Sequence, residues 1–196
     1  MTLAPDLPPE GVRTRSEVLR AVTLLIGEQG IDGMTMRQVA RATGMSTGTI
    51  NYHFTNKRSL ILAALDAAAS APASGEEGTP LERLQALFRG FILEDLDRRA
   101  WWRFWVEVTA QAARDADLRD RQRNRMESQR RDVEDLVALG VQRGELRPDL
   151  DASLIAEPLL ALAYGLAVQQ LISPDAATVR RASDALEGSI REISAR

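Results

Sequence analysis

The stretch that most constrains the fold is LIAEPLLALAYGLAVQQLI, residues 154–172, which is apolar on nearly every side of a helix. It also contains Glu157, Pro158, Gln169 and Gln170, which a lipid-facing helix would tolerate poorly. The stretch therefore predicts a helix buried against protein and no membrane span. Since one domain core covers only part of such a surface, we expect a helix of a second copy to pack against it.

The other periodic stretches are also typical of helices. Ala, Leu, Arg and Glu dominate them, and the apolar alternation of strands is absent, so we predict an all-α chain. A capping box at Thr14 begins the first helix, which the glycines of residues 27–33 end. The second, third and fourth helices are predicted to begin at Thr35, Ser46 and Asn56.

Residues 70–80, SAPASGEEGTP, have the composition of a linker. We therefore predict a disordered lead-in at 1–12, a small N-terminal domain at 13–69 and a larger helical domain at 80–196. The larger domain is expected to hold four or five helices, at about 81–97, 100–113, 117–143, 151–172 and 175–194.

Several chemistries find no support in the sequence. The chain has no cysteine, which excludes disulfides and thiolate metal sites. No nucleophile or carboxylate can be identified beside His53, so we predict no catalytic centre, no metal and no cofactor. Residues 1–15 have two acids, three prolines and no apolar core, which is unlike a signal peptide. A cytoplasmic protein is expected.

The positive charge is concentrated in one segment. The formal net charge of the chain is −3, yet every charged side chain between Gly33 and Leu65 is positive. These side chains are Arg37, Arg41, Lys57 and Arg58. A short positive island on an acidic protein favours local contact with phosphates and disfavours coating of nucleic acid by the whole molecule.

The spacing of Ala40, Gly44 and Ile50 predicts two helices that cross near a right angle. Ala40 is small enough to let the helices touch, Gly44 suits the turn, and Ile50 is an apolar anchor on the following helix. This pattern is the helix-turn-helix, whose second helix enters the major groove of DNA.

The face of the third helix opposite Met45, Ile50 and Phe54 is predicted to be exposed. It presents Thr47, Gly48, Thr49, Asn51, Tyr52 and His53. Hydroxyl and amide groups can bond phosphates or base edges, and the small Gly48 allows a close approach of the backbone. Arg37 and the helix starts at Thr35 and Lys57 offer further contacts to phosphates.

Two of these residues have competing interpretations. His53 either contacts a phosphate or packs onto Phe54. Lys57 is either a solvated lysine or a phosphate ligand, and the second is favoured because a cation at a helix N-terminus is otherwise unfavourable.

Residues 33–60, GMTMRQVARATGMSTGTINYHFTNKRSL, resemble the DNA-binding signature of the tetracycline-repressor (TetR) family. The family pattern S-x-G-x-[LI]-Y-x-[HY]-F-x-[SN]-K-x-x-L is matched at Ser46, Gly48, Ile50, His53, Phe54, Asn56, Lys57 and Leu60. The resemblance implies that Thr35, Arg37, Thr47, Thr49, Tyr52, His53 and Lys57 occupy positions that contact DNA in relatives. The set of candidate DNA-binding residues also includes Ser46, Gly48 and Asn51. Asn51 departs from the pattern, because it stands where the family usually has a phosphate-contacting tyrosine. The adjacent Tyr52 is the candidate to make that contact in its place.

The C-terminal half resembles the BetI-like subgroup of the same family through RRAWWRFWVEVTAQAARDADLR and GELRPDLDASLIAEPLLALAYGLAVQQLI. This resemblance implies a homodimer formed by the last two helices, a palindromic double-stranded DNA operator, and repression released by a small-molecule effector. An activator or an effector-independent regulator is the alternative, and a helical enzyme or lipid-binding protein is a more distant one.

Two arginine- or tryptophan-rich stretches each allow two interpretations. The tryptophans of residues 101–108, WWRFWVEV, form either a packed core face or an aromatic cage for a quaternary ammonium group, with Glu107 as its counter-charge. Residues 119–131, RDRQRNRMESQRR, form either a solvated helix end, which we favour, or a second DNA surface. The candidate ligand-binding residues are Trp101, Trp102, Trp105 and Tyr164.

Overall fold

The computed structural model describes residues 10–70 and 77–195, and every regular element within those ranges is a helix. The helices are α1 (Glu10–Gly33), α2 (Met36–Thr43), α3 (Thr47–His53), α4 (Lys57–Ser70), α5 (Pro80–Arg89), α6 (Leu96–Ala112), α7 (Ala116–Gln142), α8 (Ala152–Ile172) and α9 (Ala176–Ile193). The predicted all-α class is confirmed. The chain divides after Ser70 into an N-terminal unit and a C-terminal unit.

The start of α1 differs from the prediction. The helix begins at Glu10, so residues 10–12 of the predicted lead-in are helical and Thr14 lies inside the helix; residues 1–9 lie outside the described residues. Glu10 directly follows two prolines in the sequence, and prolines are common where a helix begins. The capping-box pattern at Thr14 instead predicts a start four residues too late. At the other end, α1 continues through Gly27 and is broken at Gly30, whose φ of 75° and ψ of 168° suit glycine alone.

The N-terminal unit is built from α1 to α4 around a small apolar core. Helix α1 packs on α2 and α4, and α2 packs on α3. The fully buried side chains include Val18, Val22, Ile26, Met34, Val39, Ile50 and Leu60. The short α3 is therefore held by one buried face, which leaves its other face in solvent.

The C-terminal unit contains α5 to α9, with α8 packed against α6, α7 and α9. The predicted helix at 81–97 is wrong in its extent: α5 ends at Arg89, and α6 begins at Leu96 instead of residue 100. Asp95 caps α6, because its side chain accepts a hydrogen bond from the backbone N–H of Arg98 at 2.7 Å. The intervening residues 90–95 are not helical, although Phe91, Ile92 and Leu93 are buried.

The side chain of Gln170 on α8 satisfies the backbone of this irregular segment. Its Oε1 accepts from the backbone N–H of Leu93 at 2.9 Å, and its Nε2 donates to the carbonyl oxygen of Phe91 at 3.0 Å. Gln170 is fully buried. A backbone that leaves helical geometry inside a core needs such partners, since an unpaired buried peptide group is costly.

Helix α8 is long and apolar enough to cross a membrane by length and composition alone. Within the chain, 28% of its most apolar window is buried. Large apolar side chains are exposed along one face, at Leu154 (70%), Leu162 (37%) and Ile172 (76%), together with Gly165. The spacing of these residues places them on a single stripe of the helix that the chain itself does not cover.

Replacing Gln170 by leucine should lower the free energy of unfolding by about 2–3 kcal/mol, because the N–H of Leu93 and the C=O of Phe91 lose their partner. Urea unfolding at one fixed protein concentration measures the change. The exposed Gln142 offers a control, and Gln142→Leu should change the value by less than about 0.5 kcal/mol. Equal effects of the two substitutions would contradict the role given to Gln170.

Candidate nucleic-acid interface and ligand cavity

Helix α2 begins with a complete capping box. The hydroxyl of Thr35 accepts from the backbone N–H of Gln38 at 3.3 Å, and Oε1 of Gln38 accepts from the backbone N–H of Thr35 at 2.8 Å. The two side chains also bond each other, with the Thr35 hydroxyl as donor at 2.8 Å. The cap leaves the N–H groups of Met36 and Arg37 outside these bonds, and the side chain of Arg37 is exposed.

The turn between α2 and α3 has the geometry that its sequence predicts. Gly44 lies in the left-handed region with φ of 68°, and its N–H points to the last carbonyls of α2. The backbone N–H of Met45 donates to the carbonyl oxygen of Ala40 at 3.0 Å. Ala40 is 7% exposed and Ile50 is fully buried, as expected for the contact between the two packed helices.

Ser46 caps α3. Its Oγ accepts from the backbone N–H of Thr49 at 3.0 Å and lies 2.9 Å from the Thr49 hydroxyl. Thr47, Gly48 and Thr49 are all exposed. The hydroxyl of Thr49 is thus oriented by the cap, whereas that of Thr47 is directed by no contact within the described part of the chain.

Gly48 has no internal reason to be glycine. A methyl group at its Cα would meet only Ser46 Oγ, at an ordinary contact distance of 3.5 Å, and the backbone there is regular helix. Alanine would increase helix stability at such a position. The absence of a side chain therefore indicates that another molecule approaches the backbone of α3 closely at this position.

The aromatic residues at the end of α3 divide between the surface and the core. Tyr52 is 85% exposed, and its ring meets the half-buried His53 edge-on at 5.3 Å between centroids. Phe54 is buried, and the guanidinium carbon of Arg15 lies 5.0 Å from the centroid of its ring. The sequence patterns gave no indication of this contact from α1, because a cation–π pair has no fixed spacing along the chain. Asn51 is exposed beside them.

Lys57 has a partner within the protein that the sequence did not reveal. Its Nζ donates to the backbone carbonyl oxygen of Asp32 at 3.2 Å, which links the start of α4 to the end of α1. Asn56 caps α4, with Oδ1 accepting from the N–H of Ser59 at 2.8 Å. The ammonium group has three protons, so two stay available to an external anion.

A cavity of about 660 Å³ opens in the C-terminal unit between α6, α7 and α8. Its apolar and aromatic lining consists of Trp105, Ala112, Ala113, Met126, Leu160, Ala161 and Tyr164. Its polar lining consists of Thr109, Arg119, Gln122, Arg123, Glu127, Arg130 and Glu157. The volume is that of a site for a small organic molecule. We call it the ligand cavity.

The structure separates the four candidate ligand residues. Trp105 and Tyr164 line the ligand cavity, and their rings stack at 4.8 Å with an angle of 14°. Trp101 and Trp102 are not part of its lining. Trp102 is buried in the core, with Nε1 donating to the carbonyl oxygen of Gly90 at 3.3 Å, and Trp101 is half-buried.

The tryptophans serve mostly as core, as their spacing predicts. Trp102 contacts the rings of Phe91, Trp105 and Tyr164 at centroid distances of 5.2, 5.1 and 5.7 Å. Glu107, the predicted counter-charge of a cage, is not among the residues that line the cavity. Only one tryptophan of the three therefore faces both the core and the cavity.

Most charged groups at the cavity are already paired. Arg130 bonds Glu127 and Glu134, and the bond from Arg130 lowers the pKa of Glu127. Arg119 donates to the carbonyl oxygens of Ala112 and Ala113 at the end of α6, at 3.1 and 2.9 Å. These bonds stiffen the rim of the cavity.

Two family models match the sequence. The model described as bacterial regulatory proteins of the tetR family matches residues 18–64, and the model described as the C-terminal part of BetI-type transcriptional repressors matches residues 80–195. The first covers the helix-turn-helix, and the second covers α5 to α9 with the ligand cavity.

Curated relatives match over most of the chain. The HTH-type transcriptional repressor AcnR of Corynebacterium efficiens is 30% identical over 146 residues, 74% of each chain. AcnR of Corynebacterium glutamicum is 27% identical over 181 residues, 91% of this chain and 93% of that protein. The transcriptional repressor KstR2 of Mycolicibacterium smegmatis is 26% identical over 168 residues, 78% of this chain and 77% of that protein.

Solved structures share the fold. A TetR-family regulator from Rhodococcus sp. superposes with a TM-score of 0.80 at 27% identity, covering 93% of this chain and 98% of that one. A regulator from Saccharomonospora viridis in complex with choline also has a TM-score of 0.80, at 24% identity, covering 94% of this chain and all of that one. The chain belongs to the TetR family of transcriptional regulators, which are ligand-responsive DNA-binding proteins rather than enzymes, and its C-terminal domain is of the BetI type.

Proposed function

We propose that this protein is a transcriptional repressor that binds a palindromic operator as a homodimer and is released by a small molecule in the ligand cavity. The observation that carries the proposal is the outward face of α3, where Thr47, Gly48, Asn51 and Tyr52 are exposed and Gly48 has no internal function. A regulator of this kind acts on the bacterial chromosome, in the cytoplasm.

The DNA-binding surface in this proposal is the full set named from the sequence. Thr47, Thr49, Asn51 and Tyr52 on α3 contact bases and nearby phosphates, and Gly48 permits the close approach. Lys57, His53, Thr35 and Arg37 contact phosphates on either side, with Ser46 holding the start of α3. In this arrangement the positively charged segment between Gly33 and Leu65 faces the DNA backbone, and the acidic remainder of the chain does not.

The dimer interface is proposed on α8 and α9. The stripe of Leu154, Leu162 and Ile172 is apolar and exposed in the single chain, which is unfavourable for a protein in water. Gly165 lies on the same face with open space around it, and such small residues allow two helices to pack closely. A second copy also supplies a second recognition helix. Two such helices are needed because one short helix makes too few base contacts.

The effector site is proposed to be the ligand cavity. Its lining comes from α6, α7 and α8, so a bound molecule contacts the helix that carries the proposed dimer interface. Release of the operator by about 100-fold needs a difference of about 2.7 kcal/mol in effector binding between the two states. The choline complex of the Saccharomonospora viridis regulator supports a small molecule in this fold.

A footprint on the DNA upstream of the protein's own gene tests the proposal directly. Two protected half-sites should lie about 34–36 Å apart, or a multiple of one helical turn, on one face of the duplex. Deleting the gene should raise transcription from that promoter, whereas an activator would give a fall. A single protected half-site, or no protection, would contradict binding as a dimer to a palindrome.

Gly48→Ala should weaken DNA binding without destabilising the fold. The free energy of unfolding should stay equal or rise by up to about 1 kcal/mol, since alanine favours helix. Operator affinity should fall at least about tenfold, because the methyl group stands between α3 and the duplex. Chemical unfolding and gel shifts measure the two effects.

The matched control for Gly48→Ala is Ala42→Gly on the exposed face of α2. It should lower stability by about 1 kcal/mol and leave operator affinity unchanged under folding conditions. An unaltered affinity of Gly48→Ala would remove the main support for α3 as the recognition helix.

Lys57→Ala should reduce the salt dependence of operator binding. Loss of one phosphate contact per head lowers the slope of log K against log[salt] by about 0.9 per head, for all sequences alike. Lys57→Arg keeps the charge and should keep the slope. Unfolding must be followed in parallel, because the bond from Lys57 to the Asp32 carbonyl is lost as well. An unchanged slope would rule out the phosphate contact.

Gly165→Arg should convert the dimer into a folded monomer. The position has open space in the single chain, so the new side chain fits there, but a dimer would bury two unpaired guanidinium groups. Ala110→Arg adds the same side chain to an exposed position of α6 and should leave a dimer. Sedimentation analysis gives the mass of each variant. A dimer of Gly165→Arg that still binds the operator would place the interface elsewhere.

A further inference from the structure

Three polar atoms in and beside the ligand cavity are buried without a hydrogen-bond partner. They are Trp105 Nε1, Gln122 Oε1 and Arg125 Nη1, three of the four such atoms among the described residues. Trp105 is 7% exposed and Gln122 is 4% exposed, and both line the cavity. Since buried polar groups in native proteins are nearly always hydrogen-bonded, their grouping at one cavity indicates a ligand.

Arg125 lies one helical turn after Gln122 on α7. Its guanidinium carbon is 4.9 Å from the centroid of the Trp101 ring, and the guanidinium is hydrogen-bonded to the hydroxyl of Tyr164. Tyr164 lines the cavity, whereas Arg125 lies behind it and has Nη1 without a partner. Burial lowers the pKa of Arg125, and the weaker influence of Tyr164 opposes this. A guanidinium nevertheless stays charged at neutral pH, so the protein holds a largely buried cation against a phenol and an indole.

The acidic residues of the cavity do not neutralise Arg125. Glu127 is bonded to Arg130, and the influences on the pKa of Arg125 are its burial and Tyr164, with no carboxylate among them. A buried cation without an anionic partner destabilises the folded chain. The arrangement is therefore one that an incoming anion would stabilise.

We propose that the effector is a small organic anion that carries a carboxylate and, next to it, a hydroxyl or amino group. The carboxylate accepts hydrogen bonds from Arg125 and from Nε1 of Trp105, and the neighbouring group donates to Oε1 of Gln122. The carbon skeleton packs on the stacked rings of Trp105 and Tyr164. This inference rests on the proposed function, which places the effector in the ligand cavity, and it differs from the cationic ligand that an aromatic cage would hold.

Intrinsic fluorescence is a direct measure of binding, because all three tryptophans of the chain lie within this aromatic cluster. The probes are benzoate, salicylate, succinate and malate, with choline chloride as the cation and sodium chloride as the control for ionic strength. Salicylate or malate, which carry a hydroxyl next to the carboxylate, should change the fluorescence of the intact protein with a Kd below about 1 mM and should bind more tightly than benzoate or succinate; choline should not bind.

Variants identify the group that recognises the carboxylate. Arg125→Met should weaken binding of that carboxylate by about 10- to 100-fold, because a charge-assisted bond is lost, and Arg125→Lys should retain part of it. Trp105→Phe replaces the indole by a smaller aromatic ring that has no N–H, so the neutral hydrogen bond is lost and a smaller decrease in affinity is expected than for Arg125→Met. Arg131→Met, exposed on the same helix, should bind like the wild type.

The unfolding temperature of the unliganded variants distinguishes ligand recognition by Arg125 from a structural role of that residue. Without ligand, Arg125→Met should unfold at the wild-type temperature or above, since an uncompensated buried charge is removed. The inference is overturned if choline alone binds, if neither salicylate nor malate binds with a Kd below about 1 mM, or if Arg125→Met and Trp105→Phe bind the carboxylate as the wild type does. Operator gel shifts of the same proteins distinguish the proposed repressor function from the proposed anionic effector. If the protein binds the operator but no carboxylate, only the anionic effector is contradicted.

Discussion

The bonds of Gln170 hold the backbone segment on which the C-terminal unit depends. They connect α8 to residues 90–95, where the chain leaves α5 and turns into α6 inside the core. The carbonyl of Gly90 in that segment receives the indole N–H of Trp102, which fixes the rotation of α6. The rotation of α6 in turn decides that Trp105 faces the ligand cavity while Trp102 faces the core. A buried amide therefore supports, through this segment, the helix that carries Trp105 into the lining of the cavity.

Both candidate sites are made of groups that the fold itself does not use. Gly48 lowers helix stability and fills no tight space, and the polar atoms of Trp105, Gln122 and Arg125 are buried without partners. Each of these features costs stability in the isolated chain. Residues that stabilise the same regions, such as Ile50 and Trp102, are fully engaged in packing. An operator and an anion are the partners that we propose for the unused groups.

The parts of the structure that depend on short-range spacing could be predicted from the sequence, and the others could not. The caps at Thr35 and Ser46 and the turn at Gly44 involve residues three to five apart, and all three agree with the structure. The break between α5 and α6 depends on a glutamine 77 residues away from Leu93, so periodicity extended α5 too far. The arginine-rich pattern of residues 119–131 predicts a solvated helix end, which is correct for exposed arginines such as Arg123 but wrong for Gln122 and Arg125. A charge pattern does not show which side chain a neighbouring helix covers.

The position of Lys57 has a practical consequence. It is the sole lysine of the chain, and it lies at the start of α4 among the residues proposed to face phosphates. Reagents that attach to primary amines therefore have one side-chain target, Lys57, in addition to the α-amino group. Coupling to a sensor chip, a fluorescent dye or a cross-linker through that amine would modify the operator surface itself, so a tag at the C-terminus is the better anchor for binding measurements.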